Sequence, residues 1–281
     1  MTSTSTLRVP ILMYHEIGDP SGTASRLATS PAAFAEQLAY LHNEGFVTIT
    51  AGALSAILGD GTEEIPDRTV VITFDDGYED FYSKAMPLLD QHGFTATLFV
   101  TTGWVQDAET RPASKVPGRM LSWSQITEAA RAGIEVAAHT CQHPQLDQLP
   151  AKLLREELYT SKVRLEDKLG LPVPGLAYPF GYSNAMVRQV ARDVGYGYGH
   201  AVRNMTASPT SDLFALPRLT VRRATTMSAF QQLVSGGLPM TVLQDRALTK
   251  GWALVRRARA TLNMTSPEDL TPAIYDLTND K

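Results

Sequence analysis

The sequence predicts an α/β fold built on parallel strands, and three observations carry that prediction. Short apolar runs rich in β-branched residues alternate with stretches of helical spacing through most of the chain. Such alternation calls for crossover helices between strands of one parallel sheet. The residues with the most chemistry also fall at the carboxyl ends of the strand-like runs: His15, the pair Asp75-Asp76, His139 and the stretch Tyr178-Pro179-Phe180. In a barrel of parallel strands those ends form one face, and active sites are built there.

Taken in order, Val9 to Tyr14 reads as a short buried strand ending at His15. Ser30 is a candidate cap for a helix over Pro31 to Asn43, with proline at its first position and Gly45 beyond its end. Phe46 to Thr50 is a strand and Ala51 to Leu58 a short helix. The run Val70-Val71-Ile72-Thr73-Phe74 reads as a strand buried on both faces, and it ends in Asp75-Asp76-Gly77. A helix over Asp80 to His92, a strand over Thr95 to Val100 and a loop over Gly103 to Gly118 follow. Ser122 caps a helix to Arg131, and the strand Ile134 to Ala138 delivers His139. The remaining elements are helices over Leu153 to Leu169, Ala185 to Val194 and Met227 to Val234, with strands at Leu176 to Tyr178, Tyr196 to Val202 and Leu219 to Val221. A basic helix over Leu243 to Leu262 and a polar tail from Thr265 complete the chain, so residues 8–240 are expected to form the barrel and 241–281 an extension.

Composition narrows the function. With 281 residues and 43% hydrophobic content, the chain can bury a sizeable core. A net charge of −4 without a long basic run argues against nucleic acid as a partner. Cys141 is the single cysteine, so no intrachain disulfide forms. Met1 to Thr6 is polar and lacks the pattern of a signal peptide, and no apolar run is long enough for a bilayer. These features predict a cytoplasmic protein with no membrane partner; they leave its oligomeric state open.

The motifs point to a metal. Two adjacent carboxylates on a regular strand point to opposite sides, but at a strand end both can reach one pocket. Burying both costs free energy unless a cation or hydrogen-bond donors offset the charge. His139 and His143 lie four residues apart and can converge on one point. Two imidazoles and one carboxylate suit a divalent ion, zinc first, with cobalt or nickel as alternatives. Other residues have plainer readings. His42 and His92 sit near helix ends, Cys141 fills space, His200 and Trp123 belong to packing, and Arg256-Arg257 lies on a solvated face or at an oligomer contact. Trp104 is a candidate ring for stacking on a sugar.

Thr73-Phe74-Asp75-Asp76-Gly77 and His139-Thr140-Cys141-Gln142-His143 resemble the first two motifs of the polysaccharide deacetylases, the NodB-homology enzymes of carbohydrate esterase family 4. Ala177-Tyr178-Pro179-Phe180-Gly181 is similar to the third. The resemblance implies a distorted (β/α)7 barrel over about Val9 to Val234. It implies that Asp76, His139 and His143 hold the metal and that Asp75 is the general base. It places Tyr178, Pro179 and Phe180 beside the substrate, with the Phe180 N–H toward the oxyanion.

Two departures stand out. Ala177 replaces the arginine that usually tethers the base, which makes Arg218 the candidate replacement. No histidine follows His200, so the usual carboxyl-terminal acid is missing. The opening Leu12-Met13-Tyr14-His15 resembles the circularly permuted poly-N-acetylglucosamine deacetylases, in which this early histidine is the acid. The expected substrate is an N-acetylated amino sugar or a small sugar-containing metabolite. The competing readings are hydrolysis of a non-sugar amide, allantoinase-like or imidase-like, and a carbohydrate-binding barrel without catalysis.

Overall fold

The computed structural model describes residues 8–18, 26–61, 65–108, 112, 116–237 and 239. The expected late helix over Leu243 to Leu262, the tail and the 241–281 extension lie outside the described residues, as do Met1 to Thr6 and parts of the Gly103 to Gly118 loop. No helix among the described residues is long and apolar enough to cross a membrane.

Eight parallel strands alternate with helices: β1 (Ile11–Tyr14), α1 (Pro31–Asn43), β2 (Val47–Thr48), α2 (Ala51–Asp60), β3 (Thr69–Phe74), α3 (Met86–Gln91), β4 (Thr97–Val100), α4 (Trp123–Arg131), β5 (Glu135–Ala138), α5 (Ala151–Leu169), β6 (Gly175–Ala177), α6 (Ala185–Val194), β7 (Tyr198–Val202), β8 (Leu216–Thr220) and α7 (Met227–Val234). Seven strands close in the order β1-β8-β7-β6-β5-β4-β3, because β3 returns to pair with β1 in the register Ile11↔Val71 through Tyr14↔Phe74. The short β2 adds only to the start of β3, Val47 against Thr69 and Thr48 against Val70. The result is the expected (β/α)7 barrel.

Helix limits follow from local chemistry. Ser30 accepts the Ala33 N–H and Ser122 closes a reciprocal capping box with Gln125, so both helices begin where the sequence predicts. The expected Asp80 to His92 helix differs at its start: Phe81–Ala85 is a π-turn that leads into α3. That turn begins five residues after Asp76, and such π-bulges are frequent near functional sites. β8 begins at Leu216, earlier than expected, because Pro217 argues against a strand in the sequence yet is accommodated near the strand's first residue.

Side-chain alternation divides the barrel into two packed layers. Leu12, Tyr14, Ile72, Phe74, Leu98, Val100, Leu176 and Leu219 face the helices in one continuous cluster. Ile11, Val71, Phe99, Ala137, Ala177 and Leu216 fill the interior with α2 residues Ala51 and Leu54. Glu135 closes the amino-terminal end, accepting from Gly52 N–H at 2.9 Å, Thr97 Oγ1 at 2.7 Å and Tyr198 Oη at 2.6 Å. Active sites of parallel barrels lie at the opposite, carboxyl-terminal end of the strands. His200 lies buried in the interior against Phe99, ring centroids 5.3 Å apart. His42, in the last turn of α1, and His92, just after α3, pair ring to ring at 5.2 Å, at the end opposite the strand carboxyl termini.

Candidate metal and catalytic centre

The same alternation that buries Val71 sends Thr73 and Asp75 inward at the top of β3. The next residue does not continue the pleat. Asp76 adopts φ 73° and Gly77 φ 89°, so the chain turns left-handed and swings the second carboxylate toward the same axis as the first. Aspartate tolerates that region better than most residues. Thr140 at φ 68°, His143 at φ 58° and Phe180 at φ 59° share this conformation. Thus four of the six described non-glycine residues with positive φ belong to the three motifs. Each costs roughly 1–3 kcal/mol and persists only where its surroundings over-determine it. Gly181, at φ 74°, follows Phe180, and a Cβ there would collide with the Val202 backbone N and Cβ.

The ligand geometry is compact. Asp76 Oδ1 lies 3.4 Å from His139 Nε2 and 3.4 Å from His143 Nε2. Two donors of one tetrahedrally bound ion, each at about 2.1 Å, stand roughly 3.4 Å apart, so the spacing fits zinc or an ion of similar size. The tautomer of His139 also fits. Its Nδ1 lies 2.8 Å from the Ala177 carbonyl, which can only accept, so the proton sits on Nδ1 and the Nε2 lone pair faces Asp76. Burial pushes the pKa of both histidines down and that of Asp76 up, with Asp75 adding to the rise. Asp76 Oδ1 is buried without a hydrogen-bond donor among the described residues. Two neutral imidazoles and a buried carboxylate are a donor set that fits a divalent cation.

Asp75 borders that cluster, its Oδ2 3.9 Å from His139 Nε2, but its main partner is a different residue. Arg218 Nη1 donates to Asp75 Oδ1 at 2.5 Å and Nη2 donates to Oδ2 at 2.7 Å. The guanidinium is fully buried, stands 5.3 Å above the Phe99 ring, and also reaches Thr73 Oγ1 at 3.3 Å. Burial pushes the Asp75 carboxyl up, but Arg218, aided by His139, outweighs it and holds the group well below the usual carboxylate range. Ala177, at the position where an arginine was expected, contributes its carbonyl to His139 and its methyl to the core.

His15 follows β1 at the height of Asp75, since the Asp75 N–H donates to the Tyr14 carbonyl at 3.0 Å. It is buried, and its Nδ1 has no hydrogen-bond partner among the described residues. Burial pushes its pKa down to about 4; Asp75 opposes that, while Arg218, His139 and Arg222 reinforce it. Trp104 is also buried and lies 4.9 Å from the His143 ring, with Phe180 4.7 Å away on another side. The structure therefore brings His15, Asp75, Asp76, His139, His143, Arg218, Trp104 and Phe180 to one end of the barrel.

Tyr178 is a correction. It was expected beside the substrate, but its ring joins the layer between barrel and helices and its hydroxyl donates to the Phe214 carbonyl at 2.9 Å. Odd-numbered residues of this stretch face inward, and Tyr178 falls on the other parity. Pro179 is buried and starts the turn that carries Phe180. Sequence reasoning missed Glu157 on α5, whose Oε2 accepts the N–H groups of Cys141 at 3.0 Å and Gln142 at 2.9 Å. One of two adjacent glutamates on a charged helix gives no sequence signal for such a contact.

Comparison with known proteins adds an independent finding. The polysaccharide deacetylase family model matches residues 62–199. YxkH of Bacillus subtilis (strain 168), which is named for that family, is 30% identical over 223 residues, covering 79% of this chain and 75% of that protein. The poly-beta-1,6-N-acetyl-D-glucosamine N-deacetylase of Escherichia coli (strain K12) is 22% identical over 258 aligned positions, which cover 79% of this chain but span only 38% of that protein. Among solved structures, the Streptococcus pyogenes deacetylase PplD in complex with acetate superposes with a TM-score of 0.73 at 27% identity, covering 84% of this chain and 100% of that one. Motifs, barrel and relatives converge: the chain belongs to the polysaccharide deacetylase family.

Proposed function

We propose that this protein is a divalent-metal-dependent N-deacetylase that releases acetate from N-acetylated amino sugars in a saccharide chain. The observation that carries the proposal is the division of labour between adjacent aspartates: Asp76 faces two histidine lone pairs, while Asp75 is held ionised by Arg218. That pairing is wasted in a binding module, and the complete ligand set also favours the metal enzyme over metal-free amide hydrolysis. The relatives named for polysaccharides favour a saccharide chain over the small metabolite expected from the sequence. The catalytic unit on this reading is the barrel of residues 8–240.

Asp76, His139 and His143 would hold the ion. A divalent ion there supplies charge that lowers the pKa of water and polarises the acyl oxygen. Asp75 accepts one proton from the attacking water as its oxygen bonds the acyl carbon. The Phe180 turn presents its backbone N–H to the acyl oxygen. The proton that Asp75 took from water passes to the His15 ring as negative charge develops beside it. The C–N bond then breaks, the amine nitrogen takes that proton from His15, and acetate and a free amino sugar leave with Asp75 a carboxylate and His15 neutral again. Because burial keeps the resting His15 ring neutral at pH 7, it does not wait as an imidazolium. It gains basicity only as negative charge develops beside it during the reaction.

Acetate release from N-acetylglucosamine oligomers, with and without a chelator, tests the whole reading. Full activity after chelation, or release only from non-sugar amides, would defeat it. The role of His15 has its own test. His15→Ala should lower kcat on the sugar amide by about 10²–10⁴-fold at constant metal content. An activated acetate ester, whose leaving group departs without protonation, should lose far less. Equal losses on both substrates would sink the acid assignment.

A further inference from the structure

We infer that Glu157 is a positioning residue for the metal-binding loop: its carboxylate grips the backbone of Cys141 and Gln142 and thereby fixes the approach of His139 and His143 to each other. The inference rests on the metal site proposed above.

The loop has to be held, because it does not hold itself. It runs only from His139 to His143, and two of its residues, Thr140 and His143, have positive φ. A β-branched threonine in that region is strained and needs outside partners. The loop's carbonyls are taken on one side: the Thr102 N–H donates to Thr140 O at 3.1 Å and the Gly103 N–H to Cys141 O at 2.8 Å. That approach is so close that a Cβ on Gly103 would strike the Cys141 carbonyl. Within the loop, the His143 N–H donates to Thr140 Oγ1 at 3.0 Å. The consecutive N–H groups of Cys141 and Gln142 both go to Glu157 Oε2, at 3.0 and 2.9 Å. Among these bonds, Glu157 is the one ionisable acceptor, and charge-assisted bonds are the stronger kind.

Its support is rigid. α5 buries Leu154, Leu158, Ser161 and Leu165 along one face, and Glu157 stands at the flank of that face. Arg164, two turns along, places Nη1 3.3 Å from Cys141 Sγ. The helix therefore reaches the loop at two points. A carboxylate carried on a packed helix is a better clamp than one on a loop, because its own position is already fixed. Outer groups of this kind orient ligands, and their loss typically weakens metal binding by about 10–100-fold.

The test uses Glu157→Ala, Glu157→Gln and Glu157→Asp, with three readouts. These are Zn²⁺ affinity by chelator competition, the visible spectrum of the Co²⁺ form, and amide exchange at residues 141 and 142 in metal-free protein. One Oε2 serves both bonds, so glutamine can replace it through its amide oxygen, whereas aspartate is too short to reach. The expectation is Zn²⁺ affinity about 10–100-fold weaker in Ala and Asp, and less than about tenfold weaker in Gln. Exchange at the two amides should rise in Ala and Asp while α5 amides stay protected, and the Co²⁺ spectrum should shift in the same two variants. If Glu157→Ala fails to fold, the Gln and Asp pair decides. Gln as weak as Asp, or Asp like wild type, would show that charge toward Arg164 matters rather than the backbone grip, and would overturn the inference. Wild-type affinity and exchange in Glu157→Ala would overturn it outright. Wild-type protein that binds no Zn²⁺ would instead overturn the metal reading beneath it.

Discussion

Asp75→Asn is expected to slow acetate release by about 10²–10⁴-fold while metal content stays at the wild-type level, whereas Asp76→Ala loses both metal and activity. The two residues are neighbours in sequence, so any difference between them must come from where the backbone sends each side chain. Asp75 ends the inward row of β3 and meets Arg218 through both carboxylate oxygens. Asp76 sits at φ 73° and meets His139 and His143, each 3.4 Å from its Oδ1. Asparagine at 75 keeps the size and one acceptor but cannot take a proton from water. Alanine at 76 removes the carboxylate oxygen that, among the described residues, lies within reach of both imidazole lone pairs. Metal analysis of the purified variants beside their rates is the check. Equal metal loss in both variants would erase the assignment of separate roles.

How much of this was readable from the sequence depended on the range of the interaction. The strand–helix alternation, the Ser30 and Ser122 caps and the limits of α6 and α7 are local, and local chemistry fixes them. The candidate ligand set was readable because His139 and His143 lie within one loop and the aspartates are adjacent. Nothing local indicates which aspartate turns toward the histidines. That follows from the left-handed turn at Asp76, a consequence of the tertiary setting. Tyr178 was misplaced for a related reason: the third motif suggested proximity to substrate, but strand parity turns its ring outward.

Long-range partners were the least readable. Glu157 joins the loop between the histidines from 16 and 15 residues away, across a helix start whose packing the sequence does not reveal. Arg218 lies 143 residues from Asp75 and could be named only because the usual arginine is absent at Ala177. Barrel closure makes the contact: β8 pairs with β1 and β1 with β3, so residues near the two ends of the domain share one interior.

Removing that partner should have the largest effect on stability. Arg218→Met is expected to destabilise the metal-free protein by about 3–5 kcal/mol at pH 7, because it leaves the Asp75 carboxylate buried without a counter-charge. The pH dependence separates this from lost packing. In the wild type the folded-state pKa of Asp75 is depressed, so the pair's stabilisation is present above the unfolded value of about 3.9 and lost as pH falls toward the folded value. In the variant, burial is no longer outweighed and the folded pKa lies above the unfolded one. Its penalty is then present at neutral pH and relieved as pH falls and the carboxyl protonates. The difference between wild type and variant should therefore shrink between pH 7 and pH 5 in denaturant melts. Asp75→Asn in the same background should recover most of the loss, since no buried charge remains to strand. Arg218→Lys should recover only part of it, because an ammonium cannot grip both carboxylate oxygens in the same plane. A pH-independent difference, or no rescue in the double variant, would mean that Arg218 acts by filling space and that something else holds Asp75 ionised.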